Sequence, residues 1–408
     1  MRDRRDPRHF PRTATALLAL SIAVSGCSSS TSKDAPSPSP VANWSGAALP
    51  TKQMSAADAK PIDEMAQAAL EQNPDLPGMW IGVWDPNKGV HIAAYGNAVD
   101  GGAAAKVDDH SRIGSVTKTF TATAVLEQVA AGKLNLDDTV ADVLPDMAKQ
   151  YPDLATITVE QLLAMRSGIP DYANTGVVTG AVVKDPTKVW TVDEIIGATL
   201  DAMPVEPPGT PGYSTTNYLI LGEMLTAVTG RSVEDVINGV VAEAGLTTSS
   251  LQPPEETQMP APASHGYLNA PGVQSLAASG IEAKPGQDVT DWTVSWGQAG
   301  GGMYSTVADM GTWASTGLGT SLLPQALDDR RLKAEPIPEG KYGLGVFDYG
   351  NGWIGHTGQL IGWESVVAYN KKTGAAFVAL VNETGSLTAA LQPLAVAFPD
   401  LMQGIAGG

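Results

Sequence analysis

Apolar positions fall at helical spacing near the start of the patterned chain and then switch to strand spacing. Ser55 to Gln72 predicts a helix whose apolar side is Ile62, Met65, Ala66 and Ala69. Met79 to Trp84 and Val90 to Tyr95 predict a hairpin joined through Asp85-Pro86-Asn87-Lys88-Gly89. The far end repeats the pattern: Ser365 to Tyr369 and Ala375 to Val381 flank the turn Asn370-Lys371-Lys372-Thr373-Gly374, and a helix is predicted from Ser386 towards Met402. Terminal strands of this kind can share one antiparallel sheet with the first and last helices against it.

The middle has a different rhythm. Ala122 to Ala131, Val159 to Met165, Val192 to Leu200, Asn217 to Val228 and Val233 to Ala242 predict helices separated by Gly- and Pro-rich loops. Asn269 to Gly302 has little periodicity and is expected to form surface or cleft-lining loops. The fold class expected is therefore α/β (α+β). A sheet built from both ends carries helices, and a mainly helical region of about residues 125–300 is inserted into a domain spanning 55–408.

The first 26 residues break this pattern. Arg2, Arg4, Arg5, Arg8 and Arg12 precede the apolar run Ala14 to Val24, followed by Ser25-Gly26-Cys27. A basic region, an apolar core and small residues at a cleavage point make a secretory signal peptide of residues 1–26. Cys27 is the only cysteine, so no disulfide framework is available. Residues 27–54 are expected to act as a tether, being rich in Ser, Thr, Pro and Ala from Ser28 to about Pro40. The remainder is long enough to hold itself together by packing. The chain carries 25 basic and 43 acidic residues, net −18; removing residues 1–26 takes away five Arg and two Asp and leaves −21. That charge argues against nucleic-acid binding and against electrostatic attachment to anionic lipid.

Candidate chemistry begins with Ser115 and Lys118 in Ile113-Gly114-Ser115-Val116-Thr117-Lys118. Three residues of separation put a hydroxyl and an amine on one helical face, where the amine can assist loss of the hydroxyl proton. A serine at a helix start also has free N–H groups beside it to meet a tetrahedral oxyanion. Three further segments carry polar groups at turns: Pro208-Gly209-Thr210-Pro211-Gly212-Tyr213-Ser214-Thr215, Gly355-His356-Thr357-Gly358, and Leu162 to Tyr172 with its Gly168 stop. The histidines show no metal-ligand spacing, and Gly300-Gly301-Gly302 lacks the Gly-Lys-Ser/Thr of a phosphate loop and reads as a tight turn. No cofactor and no metal are expected. Glu364, next to Trp363, is read as a surface residue, with entry into the cleft as the alternative.

Taken in order, these segments resemble the serine β-lactamase and penicillin-binding-protein superfamily, in the branch of class C β-lactamases, D-alanyl-D-alanine carboxypeptidases and related esterases. Ser115-x-x-Lys118 matches the first motif, Tyr213-Ser214-Thr215 the second and His356-Thr357-Gly358 the third, over roughly residues 58–400. The Val24-Ser25-Gly26-Cys27 segment likewise resembles a bacterial lipobox. That resemblance implies a lipidated Cys27 and a protein anchored to the outer face of the cytoplasmic membrane.

The family resemblance implies an acyl-enzyme on Ser115, with proton transfer shared by Lys118 and Tyr213. The latter is either a phenolate or a relay. It further implies that His356 lines the site opposite the serine and binds carboxylate or helps proton transfer. Thr215, Thr357, Gly358 and Gln359 would contact substrate, and the backbone N–H groups of Ser115 and near Gln359 would form the oxyanion hole.

One departure stands out. The family's second motif usually ends in Asn, and Thr215 cannot present the separate amide donor and carbonyl acceptor of Asn. Asn217 lies two positions on, towards another helical face. The departure points away from efficient β-lactam or peptide turnover and is better tolerated by an esterase or amidase. The expected function is a serine hydrolase acting on a small ester or amide, such as a cell-wall fragment. The alternative is a non-catalytic envelope-binding protein that retains the cleft.

Overall fold

The computed structural model describes residues 49–173, 175–270, 273–274, 282–319, 322–385, 387–391 and 405. The expected signal peptide, Cys27 and most of the tether lie outside the described residues. The tether ends earlier than its sequence suggests: Val90 N donates to Lys52 O at 2.8 Å and Met54 N to Val90 O at 2.8 Å, so this stretch is already docked.

Helix α1, Ala56–Gln72, starts at Ser55, whose hydroxyl accepts from Asp58 N, and buries Ala59, Ile62, Ala66 and Ala69. Among the described residues, fourteen strands follow in chain order. They are β1 (Gly78–Asp85), β2 (Gly89–Gly96), β3 (Ser111–Arg112), β4 (Ser250–Leu251), β5 (Tyr267–Leu268), β6 (Gln287–Asp288) and β7 (Met303–Ser305), then β8 (Glu335–Ile337), β9 (Gly340–Tyr342), β10 (Phe347–Gly350), β11 (Trp353–Leu360), β12 (Trp363–Asn370), β13 (Ala376–Val381) and β14 (Glu383–Thr384).

Eight of these form an antiparallel sheet in the order β2-β1-β13-β12-β11-β10-β9-β8. The N-terminal and C-terminal strands meet within it, where Met79 to Trp84 pair with Val381 to Ala376. Strand β12 is buried at every position and so is β13, because helices cover the sheet. Helix α1 packs on β1 and β2, and the helix Val307–Trp313 packs on β1 and β13. The shared sheet expected from the terminal hairpins is therefore present.

Its extension through β8, β9 and β10 was not anticipated. These strands are three, three and four residues long, too short for periodicity to show. The C-terminal helix expected from Ser386 to Met402 is described over Leu387–Leu391, and the rest of that range lies outside the described residues.

The middle helices occur at Val159–Leu163, Val192–Ala202, Thr216–Thr229 and Val233–Glu243. Thr158 with Gln161, and Thr191 with Glu194, close capping boxes that fix two of the starts. The first of these helices stops before Met165, which takes φ +57. No helix among the described residues is long and apolar enough to cross a membrane.

Helix α2, Thr117–Ala130, continues from the Ser115 turn through the stretch predicted from Ala122 and is buried continuously from Thr117 to Leu126. It runs through the centre, packed by Thr216–Thr229, Val233–Glu243 and Gln298–Gly301. Its threonines mask the apolar period before Ala122, yet each finds a hydrogen-bond partner. Thr119 Oγ1 donates to Val116 O at 2.7 Å, Thr121 Oγ1 to Ala299 O at 2.7 Å, and Thr123 Oγ1 to Thr119 O at 2.8 Å. Phe120 stacks on Trp313, whose Nε1 donates to Thr119 Oγ1 at 2.8 Å.

Phe120→Ala removes a wholly buried ring from this contact and should lower the unfolding free energy by about 3–5 kcal/mol. Urea denaturation checks it, and a loss below about 1 kcal/mol would show that the stack does not hold α2 in place.

Candidate active site

Ser115 sits in a single 3₁₀ turn, Gly114–Val116, that runs directly into α2. The approach to this turn is pinned on two sides. Ile113 N donates to Met303 O of β7 at 3.1 Å, and Ser365 Oγ of β12 donates to Ile113 O at 2.8 Å. Lys118 lies one turn on, and the three-residue spacing places its Nζ 2.8 Å from Ser115 Oγ. Nζ also donates to Gly300 O at 2.7 Å and lies 5.0 Å from the centroid of the Tyr213 ring.

Lys118 is wholly buried. Loss of solvation pushes its amine down to about 7, with the Asp171 carboxylate opposing the shift. A substantial fraction is then neutral near neutral pH, and a neutral amine can take the Ser115 proton along the contact already present.

Tyr213 lies on the cavity wall with Ser115, whose hydroxyl acts to lower its phenol pKa. Its backbone N donates to Glu339 Oε2 at 3.2 Å, and its ring packs among Phe347, Tyr342 and His356 at centroid distances of 6.2, 6.2 and 6.1 Å. Desolvation holds its phenol well above the ordinary value. Of the two states left open by the sequence, the geometry therefore favours the protonated relay over the phenolate.

The structure places His356 in the interior. It is buried on β11 behind the cavity wall, and both ring nitrogens are occupied: Nδ1 lies 2.5 Å from Thr357 O and Nε2 2.9 Å from Tyr342 Oη. A carbonyl only accepts, so Nδ1 carries the proton and Nε2 accepts from Tyr342. Burial, with Lys118 adding to it, pushes the imidazole down to about 3. His356 is thus neutral and does not supply the cation expected to meet a carboxylate. It supports the Tyr213 ring instead.

The rest of the third motif faces the serine. The β10 pairing extends along β11 from Trp353 to Gly355, and the strand then continues past it. That extension lies against the Ser115 turn so closely that a Cβ at Gly358 would fall 1.9 Å from Ile113 O, and one at Gly114 2.6 Å from Gln359 N. The lack of side chains there lets the Gln359 amide approach the serine. This is the juxtaposition a two-amide oxyanion hole requires.

A cavity of about 490 Å³ opens at this point, with Ser115, Tyr213, Thr215, Thr357, Gly358 and Gln359 all on its wall. Thr215 Oγ1 lies 3.5 Å from Asp171 Oδ2. Asn217 does not replace the missing amide: it is buried, accepting from Ser167 Oγ at 2.7 Å and donating to Leu162 O at 3.1 Å.

The sequence missed three contributors. Asp171 was inside a highlighted segment but carried no distinguishing spacing, and it proves to be a cavity residue only 8% exposed. Gly300 was read as part of a tight turn. It lies in the short helix Gln298–Gly301, offers its carbonyl to Lys118, and leaves no room for a side chain beside Thr215 Cγ2. Tyr342, on the unanticipated β9, holds His356. Glu364 is also corrected. Its carboxylate is buried at the cavity edge and accepts from Gln359 Nε2 at 2.7 Å, Gly385 N at 2.8 Å and Leu387 N at 2.7 Å.

Comparison with known proteins agrees with this geometry. The chain is 33% identical over 201 residues to Penicillin-binding protein 4 of Amycolatopsis lactamdurans, covering 48% of this chain and 50% of that protein. It is 26% identical over 336 residues to Protein flp of Staphylococcus aureus (strain N315), covering 79% and 62%. The chain thus spans about half to three-fifths of these relatives' length.

A D-stereospecific amidohydrolase from Streptomyces sp. superposes with a TM-score of 0.68 at 26% identity, covering 81% of this chain and 97% of that one. The D-amino acid amidase of Ochrobactrum anthropi SV3 shares the fold, with a TM-score of 0.70 at 23% identity over 83% and 99%. Residues 65–397 match the family model described as Beta-lactamase. With the serine, lysine and tyrosine gathered at one cavity beside the third-motif strand, the chain belongs to the beta-lactamase family, within the penicillin-binding and serine beta-lactamase superfamily.

Proposed function

We propose that this protein is a serine hydrolase that forms an acyl-enzyme at Ser115 on a small ester or amide. The observation that carries the reading is the 2.8 Å contact between Ser115 Oγ and a lysine amine pushed down to about 7 by burial. Neutral Lys118 takes the hydroxyl proton as Oγ bonds to the substrate carbonyl carbon. The resulting oxyanion is met by the Ser115 and Gln359 amides, each such donor contributing ~3–4 kcal/mol in the transition state. As the carbonyl re-forms, the bond to the leaving group breaks, and that group takes a proton relayed through Tyr213. Water then attacks the ester, gives up its proton to the same groups, and the acid leaves with Ser115 restored.

The 26%-identical D-stereospecific amidohydrolase supports amide or ester chemistry of this kind. Thr215 in the second motif supports it over β-lactam turnover. A protein that only bound ligands would gain nothing from desolvating an amine against a serine hydroxyl, which itself costs stability. We further propose that the protein is exported and held at the outer face of the bacterial cytoplasmic membrane by lipid on Cys27.

A fluorophosphonate should label the native protein at Ser115 and leave Ser115→Ala unlabelled, with turnover of p-nitrophenyl acetate falling at least about 10³-fold in the variant. Absence of labelling in folded native protein overturns the proposal. Because the working form of Lys118 is the neutral one, kcat/KM should fall as pH drops through about 7, approaching tenfold per pH unit below it. A limb near the ordinary lysine value would show that the amine is not desolvated. Cys27→Ala should move the protein from the detergent-rich phase of a Triton X-114 extract to the aqueous phase. Unchanged partitioning would remove the lipid anchor.

A further inference from the structure

The catalytic cavity has an uneven charge. Among the described residues that line it there are three carboxylates, Asp171, Glu339 and Glu364, and no Lys, Arg or His. Two of the three are committed. Glu339 holds the Tyr213 backbone, and Glu364 gathers the Gln359 side chain with the Gly385 and Leu387 amides.

Asp171 is nearly as buried as Glu364, and its donors among the described residues come from Ala173 and Thr215 alone. Its Oδ1 accepts from Ala173 N at 3.1 Å, and its Oδ2 has a marginal 3.5 Å contact with Thr215 Oγ1. No cation among the described residues forms an ion pair with it, although only 8% of the residue is exposed. Burial pushes its carboxyl up, and the nearby Lys118 charge opposes that. Lys118 must be neutral to act as a base, and in that state it offers Asp171 little charge.

A carboxylate in this position, on the wall of a substrate cavity and short of a counter-ion, is stabilised by a cation arriving with the ligand. Tyr172 and Trp296, ring centroids 6.3 Å apart, line the same part of the wall and add aromatic surface that favours a cation. The net charge of −18 biases encounters in the same direction. A substrate bearing a carboxylate would instead meet a wall whose only ionisable side chains, among the described residues, are acidic.

We propose that Asp171 is the specificity-determining residue of this site. It binds an ammonium group on the acyl part of the substrate, so that the enzyme prefers aminoacyl esters or amides to neutral or carboxylate-bearing ones. This rests on the serine hydrolase reading above and narrows its substrate class. Thr215 fits the arrangement. A threonine leaves room beside Asp171 and contributes one hydroxyl to it, where a longer amide would occupy that space.

The test compares the methyl esters of alanine, N-acetylalanine and N-succinylalanine, in both enantiomers, with each rate divided by that ester's hydroxide rate. For the better enantiomer the native enzyme should show kcat/KM about tenfold or more higher for the free ammonium than for the N-acetyl ester, chiefly through KM. The N-succinyl ester should be slowest. In Asp171→Asn the ammonium-to-acetyl ratio should fall to within about twofold of one, and Asp171→Glu should recover part of it. The ratio cancels any change in Ser115 reactivity, because both esters use the same nucleophile.

A second measurement needs no variant: benzylamine should inhibit native p-nitrophenyl acetate hydrolysis at concentrations at least about tenfold below those required of phenylacetate. If the enzyme labels at Ser115 and turns over p-nitrophenyl acetate, yet shows no ammonium preference in either measurement, the role of Asp171 is overturned and the hydrolase reading stands. If labelling and acetate turnover both fail, the hydrolase reading falls, and this inference with it.

Discussion

The site depends on keeping the Lys118 amine out of water while holding it against the Ser115 hydroxyl. An ammonium loses more on burial than an amine does, so enclosure itself turns a strong acid-binding group into a base that is free near neutral pH. The neutral amine still needs partners, and it has two, the serine oxygen and the Gly300 carbonyl. Neither partner carries charge, so neither restores the ammonium. Among the described residues the opposing charge is Asp171, which tempers the shift without forming an ion pair with the amine.

That enclosure is made by three layers meeting at one point. Helix α2 brings Ser115 and Lys118 together by local spacing, the helix Thr216–Thr229 brings Tyr213 at its N-terminal approach, and β11 brings the Gln359 amide as it runs beyond β10. The approach of β11 to the serine turn tolerates almost no side-chain volume, which explains glycine at both 114 and 358. The tether of Ile113 to Met303 and Ser365 then fixes the turn in place without using the groups that do chemistry.

Around this centre, polar residues are used in a consistent way. His356, which the family resemblance would place in the cleft, is held neutral by two hydrogen bonds and braces the tyrosine. Glu364, which looked like a surface residue, gathers Gln359 and the chain after β14. Both cases show how a buried ionisable group either finds donors and acceptors or changes protonation state. Asp171 accepts from Ala173 and Thr215 but forms no ion pair among the described residues, and that missing counter-ion is the basis for proposing a positively charged substrate.

The sequence by itself determined the local features. The helix starts at Val159 and Val192 were legible from apolar spacing between Gly- and Pro-rich loops. The terminal hairpins were legible from turn residues between apolar runs. The Ser115–Lys118 pair was legible because its geometry is set within one helical turn. The apolar period of α2 was legible only from Ala122 because its earlier buried turn is rich in threonine, and β8 to β10 were too short to show a period.

What only the tertiary structure decided were properties that depend on distant neighbours. These are the protonation preference of Lys118, the retreat of His356 behind the wall, the commitment of Glu364, and the meeting of Asp171 with Thr215 across 44 residues. Spacing along a chain fixes which groups share a turn. Desolvation and partner supply are fixed by what packs around them, and no stretch of sequence carries that information alone.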